Sequence, residues 1–509
     1  MKLLNIVWGV LLFICVNTLA AEKMKYLKDF GAIGNGKIDD SVAIKKAFNS
    51  LKNGGTLILG KGSFKFKGLI RIKNLNNCKI DASGSILQND THNGGFVFSN
   101  CKNFTWTGGT LTYTKLPSKQ NTKTEHPLYF RRCTNLRIDG VNINGSPFMG
   151  MAINACKYVW VTDCKITNTM RDGLHFVHCQ DIVCTGNSIS NTVDDALALI
   201  DYGADKHIRL KRAIVANNII SNCRQGLVCL GGKDITFANN HVEKTVFSGC
   251  QITSNDRFNV HNWKGSTCVK RIKVIGNRFV ESGGSFKLSP FLKEDPVPDF
   301  LKDKKGRTIN TGQVTTGTAA IVVSYIDRKK GWNRDGDKYF TRENIEAVKI
   351  SPEEIAITGN LVSDFFPGRV VKIIGKKTGE KVLKVKKSTY RDEKTYLNFG
   401  KEVNFADDKI ALKTSRIISD IEIINNEILN SHVAGIYTNS VYRLRVNGNK
   451  IYNCNSDNSK FTQTIVGIHN GAYVDFVNNW IIDDRTDRRH KTPLKITAKK
   501  VRKSDNRID

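Results

Sequence analysis

The chain is 509 residues long, more than one compact hydrophobic core usually holds, which excludes a simple single-core globule and leaves several domains or one elongated repeat architecture. Lys and Arg outnumber Asp and Glu by 78 to 47, and the resulting formal charge of +31 points to nucleic acid, acidic surfaces or acidic polysaccharide without choosing among them. Only nine prolines occur, so long stretches can sustain sheet ladders.

Residues 1–20 combine a lysine, an apolar stretch from Leu3 to Val16 and small residues at Thr18 and Ala20. This is the pattern of a signal peptide, too short in its apolar run to span a bilayer, and no later stretch approaches that length. The expectation is a soluble protein, secreted or periplasmic, with no membrane partner. Residues 24–55 contain FGAIGNGKIDDSVAIKKAF from Phe30 to Phe48, a glycine-rich turn followed by Val42, Ile44, Ala47 and Phe48 at helical spacing. Asp39, Asp40 and Ser41 suit a helix N-terminus, and a helix here would cap the open end of a repeat array.

Two ladders follow. Cys78, Cys101, Cys133, Cys156 and Cys179 each open a similar phrase (CKI, CKNF, CTNLRI, CKYVWV, CQDIV), with three gaps of 23 residues and one of 32 that holds a polar loop from Lys115 to His126. The second ladder reads GNSI (Gly186), NNII (Asn217), NNHV (Asn239), GNRF (Gly276), GNLV (Gly359), NNEI (Asn425), GNKI (Gly448) and NNWI (Asn478). Asparagine tolerates a left-handed turn, and stacked amides can bond from coil to coil. Neighbouring apolar residues alternate as strands do. A fixed period with strand alternation marks a solenoid, in which the cysteines form an internal stack of free thiols.

The fold class is therefore all-β: a single-stranded right-handed parallel β-helix with an N-terminal capping helix and an inserted small β-rich module. Coils are expected over 56–289. A polar insertion fills 290–344, and 345–417 holds a coil and a barrel-like insertion with the runs VVKII, KVLKV, TYLNF and KIALK. Coils resume over 418–484, and a basic tail occupies 485–509.

Aligning coils at the repeat period, with one longer coil after Asp194, sets FMGMAI (Phe148), RDGLHF (Arg171), DDALAL (Asp194), RQGLVC (Arg224) and FSGCQI (Phe247) under one another. Gly150, Gly173, Ala196, Gly226 and Gly249 then share a column. Asp172 stacks on Asp195 with Gln225 next, Asp194 lies between Arg171 and Arg224, and His175 shares a small-residue column with Gln251. Glycoside hydrolysis needs a carboxyl proton donor and a second carboxyl as base or nucleophile. Asp172, Asp194 and Asp195 are the candidate catalytic residues, and Arg171, His175, Arg224, Gln225 and Gln251 the candidate substrate contacts. Stacked carboxylates share a proton held to higher pH, as a general acid requires, whereas the arginines favour ionised Asp194. No His, Cys and carboxylate cluster has metal spacing, so neither metal nor cofactor is expected.

The FGAIGNGKIDD segment resembles the N-terminal cap of polygalacturonases, rhamnogalacturonases, related β-helix enzymes and some phage tailspikes. NTMRDG at Asn168 and NTVDDALAL at Asn191 are similar to the polygalacturonase pair Asn-Thr-Asp-Gly and Gly-Asp-Asp. The resemblance implies an inverting hydrolase with Asp194 as general acid and Asp172 with Asp195 positioning water, roles opposite to those the charges favour. The polygalacturonase Gly-His-Gly is Arg224-Gln225-Gly226 here. DGLHFVHC followed by DDALAL also resembles the β-helix α-1,3-galactosidases. The expected partner is a polysaccharide or oligosaccharide, acidic because guanidinium suits uronic or sulfated sugars, and not nucleic acid. A polysaccharide lyase and a non-catalytic carbohydrate-binding solenoid are the alternatives.

Overall fold

The computed structural model describes residues 24–118, 120–121, 126–202, 209–255, 269–284, 319–327, 331–332, 345–362, 364–403, 406–414, 418–456, 464–486, 490 and 492–509. Residues 1–20, expected to be a signal peptide, and most of 290–344 lie outside them; the expected insertion is corrected at Ala319–Asp327, which pairs in parallel with His241–Asn255 and Ala434–Asn439 as a coil strand. Among the described residues no helix is long and apolar enough to cross a membrane.

Each coil contributes up to three short strands, and equivalent strands pair in parallel from coil to coil. The first ribbon contains fourteen strands, from Met24–Tyr26 to Lys499–Ser504. The other two ribbons fuse where Ser188–Ile200, Ile219–Leu230 and His241–Asn255 run unbroken from one into the other. Side chains alternate across each strand: in Lys157–Thr162, Val159 and Val161 point into the solenoid while Trp160 faces out beneath the Arg137 guanidinium, 4.4 Å from its ring. Stacking coils buries one continuous apolar interior, worth roughly 1.5–3 kcal/mol for each large side chain removed from water.

The helix Ser41–Asn49 closes one end with Ile44, Ala47 and Phe48, and the Phe48 ring lies 5.6 Å from Phe96 and 6.2 Å from Trp106. Val42 is 64% exposed, and Ala43 takes the buried position expected of it, because the apolar face begins one residue later in the first turn.

The asparagine at the second position of these phrases forms a buried ladder. Amide Nδ2 of Asn187, Asn218, Asn240, Asn277, Asn426, Asn449 and Asn479 donates to Oδ1 of the next member, ending on Asn506, over 2.8–3.1 Å. The residue before each, from Gly186 to Asn478, has positive φ, the left-handed turn that glycine and asparagine accept most easily. The GNLV phrase at Gly359 is a correction: Glu354–Thr358 pairs antiparallel with Lys394–Asn398, and the Gly359 amide bonds to Glu393 rather than to a coil.

Cys101, Cys133, Cys156 and Cys179 stack at one corner, but Leu75 rather than Cys78 precedes them. Leu75, Cys101, Cys133, Cys156 and Cys179 each offer a carbonyl to the next coil, whereas Cys78 pairs with Phe104 inside a strand. The first coil is three residues longer than the phrase spacing implied. All described cysteines are free and buried.

Among the described residues of 345–417 there is no coil. Seven antiparallel strands, from Ile345–Ser351 to Lys409–Thr414, wrap a separate core around Phe365, Val371 and Leu397. Its period-two pattern matches that of coils, which is why its first strands read as one. The module leans on the first ribbon: Asp364 reaches the buried Lys270 ammonium, and the Arg443 guanidinium sits 4.0 Å over Phe366. The basic tail is also corrected. Leu494–Ile496, Lys499–Ser504 and Arg507–Ile508 pair in parallel with the preceding coil, with their charges on the outward positions.

Candidate active site

The site lies at the corner between the second and third ribbons, where NTMRDG and NTVDDA fall in register. Asn168, Asn191 and Asn222 hold this corner with positive φ and an amide ladder of their own, Asn191 to Asn168 at 3.3 Å and Asn222 to Asn191 at 2.6 Å. Thr169 and Thr192 donate to the carbonyls of Arg171 and Asp194, at 2.7 and 3.0 Å, and so fix the turn that presents the acids. The Gly173 amide donates to the Asp195 carbonyl, and a Cβ at Gly173 would meet Ala196 O at 2.7 Å. Only a small residue allows the coils to approach here.

The alignment read from sequence holds residue by residue. Ala152, His175, Ala198, Val228 and Gln251 pair in succession, and Asp195 pairs with Gln225 across a one-residue bulge that absorbs Val193. Gln251 is buried at the end of this column. The nearest carboxylate oxygens of Asp172, Asp194 and Asp195 all lie within 4.8 Å of one another.

Each acid has a different partner. Asp172, 2% exposed, accepts a short hydrogen bond from Nδ1 of His175, and the Arg171 Nε lies 3.9 Å from its other oxygen. Burial opposes its ionisation, but the His175 imidazole and Arg171 outweigh that and hold its carboxyl below the usual range. Asp194 accepts from Arg224 Nη1 at 2.6 Å and has Arg171 Nε at 3.7 Å. Asp195, 9% exposed, accepts only a neutral amide hydrogen bond among those described, from Gln225 Nε2 at 2.8 Å. Burial, then the Asp194 and Asp172 charges, raise its pKa well above the ordinary carboxylate value. Three clustered carboxylates could also hold a cation, but two guanidinium groups already supply the countercharge.

Arg171 and Arg224 therefore engage Asp194, and aromatic rings back both: the Arg171 guanidinium is 5.2 Å from the Phe148 ring and that of Arg224 is 4.7 Å from Phe247. Sequence reasoning missed four residues. His126 stacks on Phe148 at 5.2 Å, and burial pushes its imidazole down to about 3, so it stays neutral. Tyr202 is buried within electrostatic range of all three aspartates. Phe148 already stood in the aligned segments, as did Phe247, and their position beside the arginines was the available signal. The His175–Asp172 bond spans three residues in one coil, a contact that the stacking argument, which compares coils, does not test.

Residues 56–264 match the family model described as "Right handed beta helix region". A comparison with curated proteins finds no match to this sequence. Among solved structures, the catalytic unit of a thermostable GH87 α-1,3-glucanase from Streptomyces thermodiastaticus strain HF3-3 is similar with a TM-score of 0.56 at 13% identity, covering 94% of this chain and 68% of that one. A GH87 α-1,3-glucanase catalytic domain in complex with tetrasaccharides gives 0.51 at 13% identity, over 93% and 65% of the two chains. The Family 28 exopolygalacturonase of Yersinia enterocolitica gives 0.45 at 10% identity, over 96% and 78%. The fold is thus a right-handed parallel β-helix.

Proposed function

We propose that the chain is an exported glycoside hydrolase that cleaves a polysaccharide by acid and base catalysis at Asp172, Asp194 and Asp195. The observation that carries this reading is three carboxylates of unlike surroundings within 4.8 Å, one held ionised by His175 and Arg171 and one with its pKa raised by burial. Such divergence supplies a base and an acid at one pH. The solved structures in complex with tetrasaccharides or nigerose are glucanases, and their likeness supports a glycan as the ligand of this site.

Two-carboxylate enzymes separate the groups by about 5–5.5 Å for retention and about 6.5–9.5 Å for inversion. A third carboxylate changes that geometry: a pair can hold the attacking water while the remaining acid faces the glycosidic oxygen. Inversion is the outcome proposed. An acidic glycan is the preferred substrate class, on the net charge of +31 and the two guanidinium groups at the site. Export rests on the pattern of residues 1–20.

The test is release of reducing ends, with ultraviolet absorbance recorded in parallel, across acidic and neutral glycans beside an Asp194→Asn/Asp195→Asn variant. Reducing ends without absorbance, lost in the variant, support the reading. Absorbance from an unsaturated product replaces it with a lyase, and no release on any glycan replaces it with a binding solenoid.

A further inference from the structure

Between the capping helix and the aspartates, the outward face of the third ribbon carries an exposed cationic run. The strands Ile70–Lys73, Phe96–Ser99, Leu128–Arg131 and Met151–Asn154 pair in succession and lead, coil by coil, to His175 in Leu174–Val177. Arg71, Lys73 and Arg131 occupy exposed outward positions on them, and Arg132 follows at the corner, exposed and left-handed with φ 54°. Resting on the hydrolase reading above, we propose that this face is a second binding surface, which holds carboxylate or sulfate groups of an acidic glycan whose cleaved bond lies at the aspartates.

The first argument is uncompensated charge. The four strands IRIK, FVFS, LYFR and MAIN, with the corner residues Asn74, Asn100, Arg132 and Ala155 that follow them, contain no carboxylate. Among the described residues none comes within ion-pair distance of Lys73, Arg131 or Arg132. On the first ribbon the chain treats its arginines differently. Arg212, Arg271 and Arg443 also hold left-handed positions, and each makes two bonds to an aspartate of the preceding coil, Asp181, Asp234 and Asp420. A left-handed backbone disfavours a long side chain, and Arg132 gains no such pair to offset it. Guanidinium forks left free in this way suit carboxylate and sulfate groups, which they bind bidentately.

The second argument is position. At about 4.8 Å per coil, Arg131 lies about 10 Å and Lys73 about 19 Å along the solenoid from the His175 rung. Between these cations and the aspartates, the half-buried Tyr129 and Asn154 meet at 3.5 Å and present a hydroxyl and an amide to sugar hydroxyls. Past the aspartates the same face continues through Ala198, Val228 and Val322, and through Ile200 and Leu230, all of them buried. The exposed cations therefore lie on the capped side of the site alone. The acidic units that they hold belong to that side of the cleaved bond, two to four coils away from it.

The test measures binding of the full chain to polygalacturonate, dextran sulfate and neutral dextran at low and high salt. Wild type is compared with a Lys73→Gln/Arg131→Gln/Arg132→Asn variant, in which asparagine suits the left-handed corner. A Lys79→Gln/Lys102→Gln/Lys233→Gln variant removes the same charge from exposed positions on the first ribbon, and melting curves report folding. Wild type should bind an acidic glycan with an affinity that falls as salt rises. The first variant should lose roughly tenfold or more of that affinity, the second much less, and dextran should not distinguish the three. Preference for polygalacturonate or for dextran sulfate supports the proposal equally and names the anion. Equal losses in the two variants, no loss in the first, or no acidic glycan bound by wild type at low salt overturns it. Failure of the hydrolase reading looks different: binding still depends on these cations, but no bond is broken. Cleavage of acidic and neutral glycans at rates that the first variant leaves unchanged overturns the surface and leaves the hydrolase standing.

Discussion

Replacing Asn277 by alanine should weaken the solenoid at the seam where its two parts meet. Asn277 Oδ1 accepts the backbone N–H of Asn240 and its Nδ2, both at 2.9 Å, and its own Nδ2 donates to Phe237 O at 2.9 Å and to Asn426 Oδ1 at 3.0 Å. The last bond crosses 149 residues of sequence, past the insertions, to the resumed coils. Alanine removes these four bonds and a fifth, from Nδ2 to Ile275 O at 3.2 Å. At about 1–3 kcal/mol for each buried group left unpaired, and with the Asn240 and Asn426 amides keeping other partners, the cost is about 3–5 kcal/mol. Asn103 belongs to a ladder of the same chemistry in solvent, bonded to Asn77 at 2.7 Å and Asn135 at 2.8 Å. Asn103→Gly keeps its left-handed turn and should change stability by no more than about 0.5 kcal/mol. Because long solenoids open locally, amide hydrogen exchange across 232–282 and 418–429 is the assay. Equal protection in the two variants would refute the claim that burial gives the ladder its strength.

Three further outcomes follow from the same geometry. The raised carboxyl of Asp195 stabilises the fold below the ordinary carboxylate pKa and loses that contribution as pH rises through its folded value, so Asp195→Asn should gain Tm relative to wild type as pH rises from about 4 to 8; a pH-independent difference would contradict this. His126, held down to about 3, contributes fully above its usual value and drains stability below it at about 1.4 kcal/mol per pH unit. His126→Phe keeps a ring against Phe148, so its urea midpoint should fall less than that of wild type between pH 6.5 and 4.5; an equal fall would sink the argument. In a Cys15→Ser/Cys268→Ser chain the remaining cysteines, all buried and free, should ignore a thiol reagent until denaturant is added, and reductant should leave Tm unchanged; rapid native labelling or a drop in Tm would refute this.

Much of the fold was legible because it is written twice, in period and in polarity. The Asn187-to-Asn479 ladder could be read from its phrases since each turn demands glycine or asparagine just before the stacked amide. Gly359 carried the same phrase without the coil, because a tight antiparallel connection uses the same left-handed residue. The register of Asp172, Asp194 and Asp195 was legible through the small-residue column of Gly150, Gly173, Ala196, Gly226 and Gly249, where coil packing admits no bulk. What the arginines touch was not. Column alignment sets Arg171 beside Asp194 but does not say whether a long side chain turns along the column or out towards a ligand, and the phenyl rings that decide it come from coils on either side. The basic tail misread for a related reason: its few inward residues, such as Val501, are outnumbered by outward lysines.

The most direct test of the account is incubation of wild type and Asp172→Asn with acidic and neutral glycans in water enriched in oxygen-18, with products read by mass spectrometry. The account predicts one labelled oxygen at each new reducing end from wild type and none from the variant. Unlabelled unsaturated products, or labelled products at equal rate from Asp172→Asn, would contradict it.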